Sequence, residues 1–66
     1  MDIIVNGELR QVPDATGVPQ LLALLDLDGR RLALEINCEI VPRSQYLTQR
    51  LQPGDRVEIV QAIGGG

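Results

Sequence analysis

The sequence has no histidine, lysine, tryptophan or phenylalanine, and only one cysteine. Without histidine the usual general base of enzyme catalysis is missing. One cysteine excludes an internal disulfide, and without histidine beside it a structural zinc site of the usual kind is not expected. All six cations are arginine, so no lysine ε-amine is present to accept an isopeptide bond. A single Tyr is the only aromatic residue, which leaves the core to ten Leu, six Ile and six Val. The longest apolar run, Leu21-Leu22-Ala23-Leu24-Leu25, is far short of a membrane span. A net charge of −3 disfavours nucleic acid as a partner. Met1-Asp2-Ile3-Ile4-Val5 carries no basic leader, so a signal peptide is not expected and a cytoplasmic protein is the default.

What is present reads as one small domain of 66 residues, with the thin stability margin of that size. Asp2 to Asn6 forms a short strand, and Asn6-Gly7 is a two-residue hairpin signal because both residues tolerate positive φ. Glu8 to Val12 returns as a second strand with Leu9 and Val12 as its apolar contributions, and Pro13-Asp14 ends it. Thr16 or Gly17 caps a helix that starts near Val18, with Pro19 in its first turn. Val18, Leu21, Leu22 and Leu25 share one helical face, and Leu24 widens the stripe. Asp26 to Gly29 closes the helix, with Gly29 as the stop signal.

Arg31 to Asn37 alternates as a half-buried strand, with Leu32, Leu34 and Ile36 on one face. Asn37-Cys38-Glu39 forms a turn, Ile40-Val41 a short edge strand stopped by Pro42, and Arg43 to Tyr46 a helical turn. Leu47 and Leu51 are expected to plug the underside of the core. After the tight turn Gln52-Pro53-Gly54-Asp55, the last strand runs from Arg56 to Ala62. It carries Val57 and Ile59 on one face and Val60 and Ala62 on the other. A strand apolar on both faces is central in its sheet or exposed to a partner. The order predicts an α+β domain with one main helix on a mixed sheet of four to five strands.

Few groups suggest chemistry. Cys38 lacks the His, cation or helix N-terminus that activates a thiol and reads as an incidental turn residue. Asp26 and Asp28 have no metal-ligand pattern around them. That leaves Gly64-Gly65-Gly66. A glycine arm adopts conformations closed to other residues and reaches roughly 10 Å when extended, enough to bring a carboxylate into a narrow partner site. Two readings stand for it: a frayed end, or an arm whose carboxylate reacts. Val60, Ala62 and Ile63 are apolar beside it and are the expected docking residues.

The stretch Leu34-Glu35-Ile36-Asn37-Cys38-Glu39-Ile40-Val41-Pro42-Arg43 resembles the central signature of the ThiS sulfur carriers, the ubiquitin-like β-grasp proteins of thiamine thiazole biosynthesis. So does Pro53-Gly54-Asp55-Arg56-Val57-Glu58-Ile59 followed by a Gly-Gly end. Val5-Asn6-Gly7, Leu21-Leu22 and the length fit as well, so the resemblance covers essentially the whole chain. Cys38, where small or amide residues are usual, Pro19, and Gly64 ahead of the glycine pair depart from the commonest pattern.

The resemblance implies a β-grasp domain over residues 1–63, with the last strand beside the first, and a flexible glycine tail over 64–66. It implies a carrier, not an enzyme, binding no cofactor or metal of its own. A ThiF-type adenylyltransferase would use ATP to adenylate Gly66, and Gly64 and Gly65 would thread the tail into its site. Sulfur would then replace the adenylate, and the thiocarboxylate would donate sulfur to a ThiG-type thiazole synthase. Two alternatives remain: a sulfur carrier of the molybdopterin type, which the short length and absence of Phe disfavour, and a non-catalytic β-grasp binding or regulatory module. Membranes and nucleic acid are not expected partners.

Overall fold

A computed structural model describes residues 1–61. Ala62, Ile63 and the tail Gly64-Gly65-Gly66 lie outside the described residues. The elements in chain order are β1 (Asp2–Val5), β2 (Glu8–Gln11), α1 (Val18–Leu24), β3 (Leu32–Ile36), β4 (Glu39–Ile40), a 3₁₀ turn (Arg43–Gln45) and β5 (Arg56–Gln61). The five strands form one mixed sheet in the order β2-β1-β5-β3-β4. β5 runs parallel to β1 on one side and antiparallel to β3 on the other. One helix on a five-stranded mixed sheet, with the last strand central, is the expected β-grasp arrangement.

Two tight turns set the register of the outer pairs. Asn6 and Gly7 have φ values of 50° and 83° and join β1 to β2, with Val5 facing Glu8 and Ile4 facing Leu9. Asn37 and Cys38 have φ values of 53° and 69° and join β3 to β4 in the same way.

The helix begins at Gly17, where a side chain would be crowded by close approach and not by φ. A Cβ there would stand 2.7 Å from Gln20 Oε1 and 3.1 Å from the Gln49 carbonyl oxygen. The Gly17 N–H donates to Gln20 Oε1 at 3.1 Å, and the Val18 N–H to the Gln49 carbonyl at 3.0 Å. Two of the helix's first free donors are thus satisfied. The helix ends earlier than expected. Asp26, not Gly29, supplies the left-handed residue, with φ 60°. Its N–H donates to Ala23 and that of Leu27 to Leu22, the paired bonds of a Schellman cap. Gly29, with φ 79°, serves the following turn instead.

The core is aliphatic and lies between the helix and one face of the sheet. Val18, Leu21 and Leu22 from α1 meet Ile3, Leu34 and Val57, with Leu51 closing the underside. Three expected core residues are outside it. Leu24 is 62% exposed. At 100° per residue it stands about 120° from the centre of the buried stripe. Leu9 is 70% exposed because the hairpin register sets it beside Ile4, on the face away from the helix. Leu47 is 85% exposed. Tyr46 packs against the core in its place and donates from its hydroxyl to the Leu32 carbonyl at 3.4 Å.

Candidate functional site

The site inferred from the sequence lies where β5 ends. β5 carries the chain as far as Gln61. Val57 and Ile59 point into the core, so Arg56, Glu58 and Val60 point to the open face of the sheet. Val60 is 64% exposed and stands directly across from Ala33 of β3. Of the expected docking residues, Val60 is therefore placed on an accessible surface, while Ala62 and Ile63 lie outside the described residues. So do the expected modified residue Gly66 and the expected threading residues Gly64 and Gly65.

Val60 and Ala33 help to line a shallow depression together with Leu32, Arg31 and Arg43. It combines three apolar and two arginine residues, at the end of the sheet from which the chain leaves β5. Ile40, 77% exposed, and Leu9 extend the apolar surface to the two edges of the same face. Glu35 and Glu58 face each other in its middle.

Two asparagines pin β5, one at its start and one toward its far end. Asn37 receives the Arg56 N–H on Oδ1 at 3.0 Å and donates from Nδ2 to Asp55 Oδ1 at 3.0 Å. Asp55 Oδ2 in turn receives the Gln52 N–H at 2.8 Å, which closes the turn leading into β5. Toward the far end Asn6 receives the Ile59 N–H on Oδ1 at 2.8 Å and donates from Nδ2 to the Ile59 carbonyl at 3.3 Å. Sequence reasoning placed Asn6 and Asn37 at strand ends and in the turns that follow, with no role for their side chains. The positive φ that makes each a turn residue also frees its amide to reach β5, and no local pattern marks a partner 53 positions away.

The arrangement offers a positioned strand end and a mixed apolar and charged face, but no catalytic constellation among the described residues. Among the described residues no group of three or more His, Cys, Asp or Glu is placed to hold a metal ion. Cys38 is exposed at its turn. No helix among the described residues is long and apolar enough to cross a membrane.

Comparison with known proteins gives a consistent result. The model of the ThiS family matches residues 3–66. The sulfur carrier protein ThiS of Escherichia coli is 38% identical over 66 residues, which cover all of both chains. A thiazole synthase of Paramagnetospirillum magneticum is 44% identical over the same length, but the chain spans only 20% of that protein. The crystal structure of the thiamine biosynthesis protein ThiS from Geobacter metallireducens superposes with a TM-score of 0.85 at 29% identity, over the whole of both chains.

Proposed function

The chain belongs to the ThiS family, and from that premise we propose that it is a sulfur carrier of thiamine biosynthesis whose reactive group is the carboxylate of Gly66. The observation that carries this reading is the whole-chain match to a sulfur carrier of equal extent, running through the glycine tail. The sequence has no histidine, the residue most often used as a general base, which is in keeping with a carrier.

The chemistry follows from the electrophilicity of a carboxylate, which is poor because its oxygen is a poor leaving group. A ThiF-type adenylyltransferase would join the Gly66 carboxylate to the α-phosphorus of ATP and release pyrophosphate. A sulfur nucleophile then adds to the acyl carbon, AMP departs, and a thiocarboxylate remains. Its sulfur is the nucleophile that a thiazole synthase consumes. The thiazole synthase of Paramagnetospirillum magneticum, which contains a stretch 44% identical to this chain, supports a synthase as the partner that receives the sulfur. The body supplies docking: Val60, Ala62 and Ile63 beside the tail would form the contact. Ordering the glycine arm costs about 1–2 kcal/mol per residue, so the tail alone binds weakly and the folded face must add affinity.

The test is adenylation by a ThiF-type enzyme with ATP, read by pyrophosphate release and by the intact mass of the carrier. The wild-type chain is expected to form the adenylate and, with a sulfur source, to gain the mass of one sulfur less one oxygen. Deletion of Gly66 is expected to abolish both while the melting transition is kept. Normal adenylation of the deletion variant would sink the reading.

A further inference from the structure

β1 and β5 separate before β5 is complete. Their parallel register runs through Ile4 with Arg56 and Val5 with Val57, and the Asn6 N–H adds one last main-chain bond to the Val57 carbonyl at 2.9 Å. The backbone of β1 then turns away into the Asn6-Gly7 hairpin, while β5 continues to Gln61. On its other side β5 stays paired with β3 as far as Leu32 and Gln61. On the β1 side, the register would leave Ile59 without a partner.

The Asn6 side chain occupies that place. Its amide receives the Ile59 N–H at 2.8 Å and donates to the Ile59 carbonyl at 3.3 Å. In a continued parallel ladder these two bonds would come from two main-chain groups of β1, the Asn6 carbonyl and the N–H two residues on, so the side-chain amide stands in for the strand where the backbone has turned away. The turn does not itself demand this group, because glycine meets the φ of 50° at least as readily. The bond to β5 is a use of the amide that the turn does not require.

We propose that Asn6 is a positioning residue for the tail: it holds the end of β5 from the β1 side and so fixes the point from which Gly66 is presented. The proposal rests on the carrier function proposed above. With the amide in place, two-sided anchoring of β5 extends to Ile59. Without it, two-sided anchoring stops at Val57 and the rest of the strand is held by β3 alone. The strand end then has more freedom to be realigned on each encounter, and that penalty falls on association more than on the chemical step.

The experiment uses the full chain with Asn6→Gly, which keeps the turn and removes the amide, and Asn6→Asp. The second keeps an acceptor for the Ile59 N–H but sets an oxygen against the Ile59 carbonyl. Amide hydrogen exchange is followed by NMR at Ile59 and at its neighbours Glu58 and Val60, whose N–H groups face β3, and adenylation is measured over a range of carrier concentrations. For Asn6→Gly, exchange is expected to quicken roughly tenfold at all three amides. The KM for the carrier is expected to rise roughly fivefold with kcat within about twofold of wild type. Asn6→Asp is expected to fall between. Faster exchange confined to Ile59 would show an isolated bond and overturn the proposal, as would faster exchange at all three with an unchanged KM. A wild-type chain that the adenylyltransferase ignores overturns the carrier function instead, and the proposed presentation role with it. The exchange arm needs no partner and still decides whether Asn6 anchors β5.

Discussion

Glu58 of β5 stands directly across from Glu35 of β3 in the middle of the open sheet face, and neither forms an ion pair among the described residues. Like charges directly opposite on neighbouring strands repel. Glu58→Lys turns the pair into an attractive one and is expected to stabilise the domain by about 0.5–1 kcal/mol. Urea unfolding at low and at high salt checks this. The gain should shrink in high salt, because both side chains reach solvent.

The two hairpin turns of this sheet provide an internal comparison. Asn6-Gly7 uses glycine at the second left-handed position, whereas Asn37-Cys38 places a cysteine there with φ 69°. A side chain in that region costs about 1–2 kcal/mol, partly offset by the greater chain entropy glycine loses on folding. Cys38→Gly is therefore expected to stabilise by about 0.5–1 kcal/mol. For a domain of this size that is a rise of several degrees in the thermal midpoint. A lower midpoint would mean that Cys38 makes a contact worth more than its backbone strain.

Leu21 and Leu24 belong to the same short helix and differ sharply in burial. Leu21 is fully buried and Leu24 is 62% exposed. Leu21→Ala is expected to lose about 2–5 kcal/mol, much of the margin of so small a domain. Leu24→Ala is expected to stay within about 0.5 kcal/mol of wild type. Chemical denaturation of the two variants side by side decides it.

That contrast also marks how far the sequence could be read. The strands, the helix and both turns were legible because period-2 and helical patterns are local and strong. Leu32, Leu34 and Ile36 alternate, and the core takes all three. The placement of Leu9 was within reach. A two-residue Asn6-Gly7 turn sets Val5 against Glu8 and hence Leu9 against Ile4 on the outer face. Leu47 was not, because only the docked loop shows Tyr46 filling the space beneath the sheet. Asp26 as the helix stop competed with a more obvious Gly29, and the hydrogen bonds at Leu22 and Ala23 decided between them. The glycine end is a local feature that the sequence marks as a candidate, and it lies outside the described residues. The bond from the Asn6 amide to Ile59 was not legible, since the two meet only after β1 and β5 pair.

Val60 is mostly exposed, so its apolar surface contributes little to the fold, yet it sits on the central strand just ahead of the tail. Val60→Thr keeps the β-branched shape and replaces one methyl with a hydroxyl, which suits an exposed strand position. The thermal midpoint should therefore barely move. If the activating enzyme closes over this face, the hydroxyl must be desolvated there, and affinity should fall by about 1 kcal/mol, or roughly fivefold. Val60→Asp buries a charge in the same contact and should weaken binding further. Leu9→Asp serves as the control, since Leu9 shares the open face but lies on the edge strand β2. Titration of each variant against the adenylyltransferase, paired with its melting curve, separates the two roles. A larger effect of Val60→Asp on binding than on stability, and a larger effect on binding than that of Leu9→Asp, assigns the contact to the tail end of the sheet. A variant that loses stability but binds normally returns Val60 to the fold.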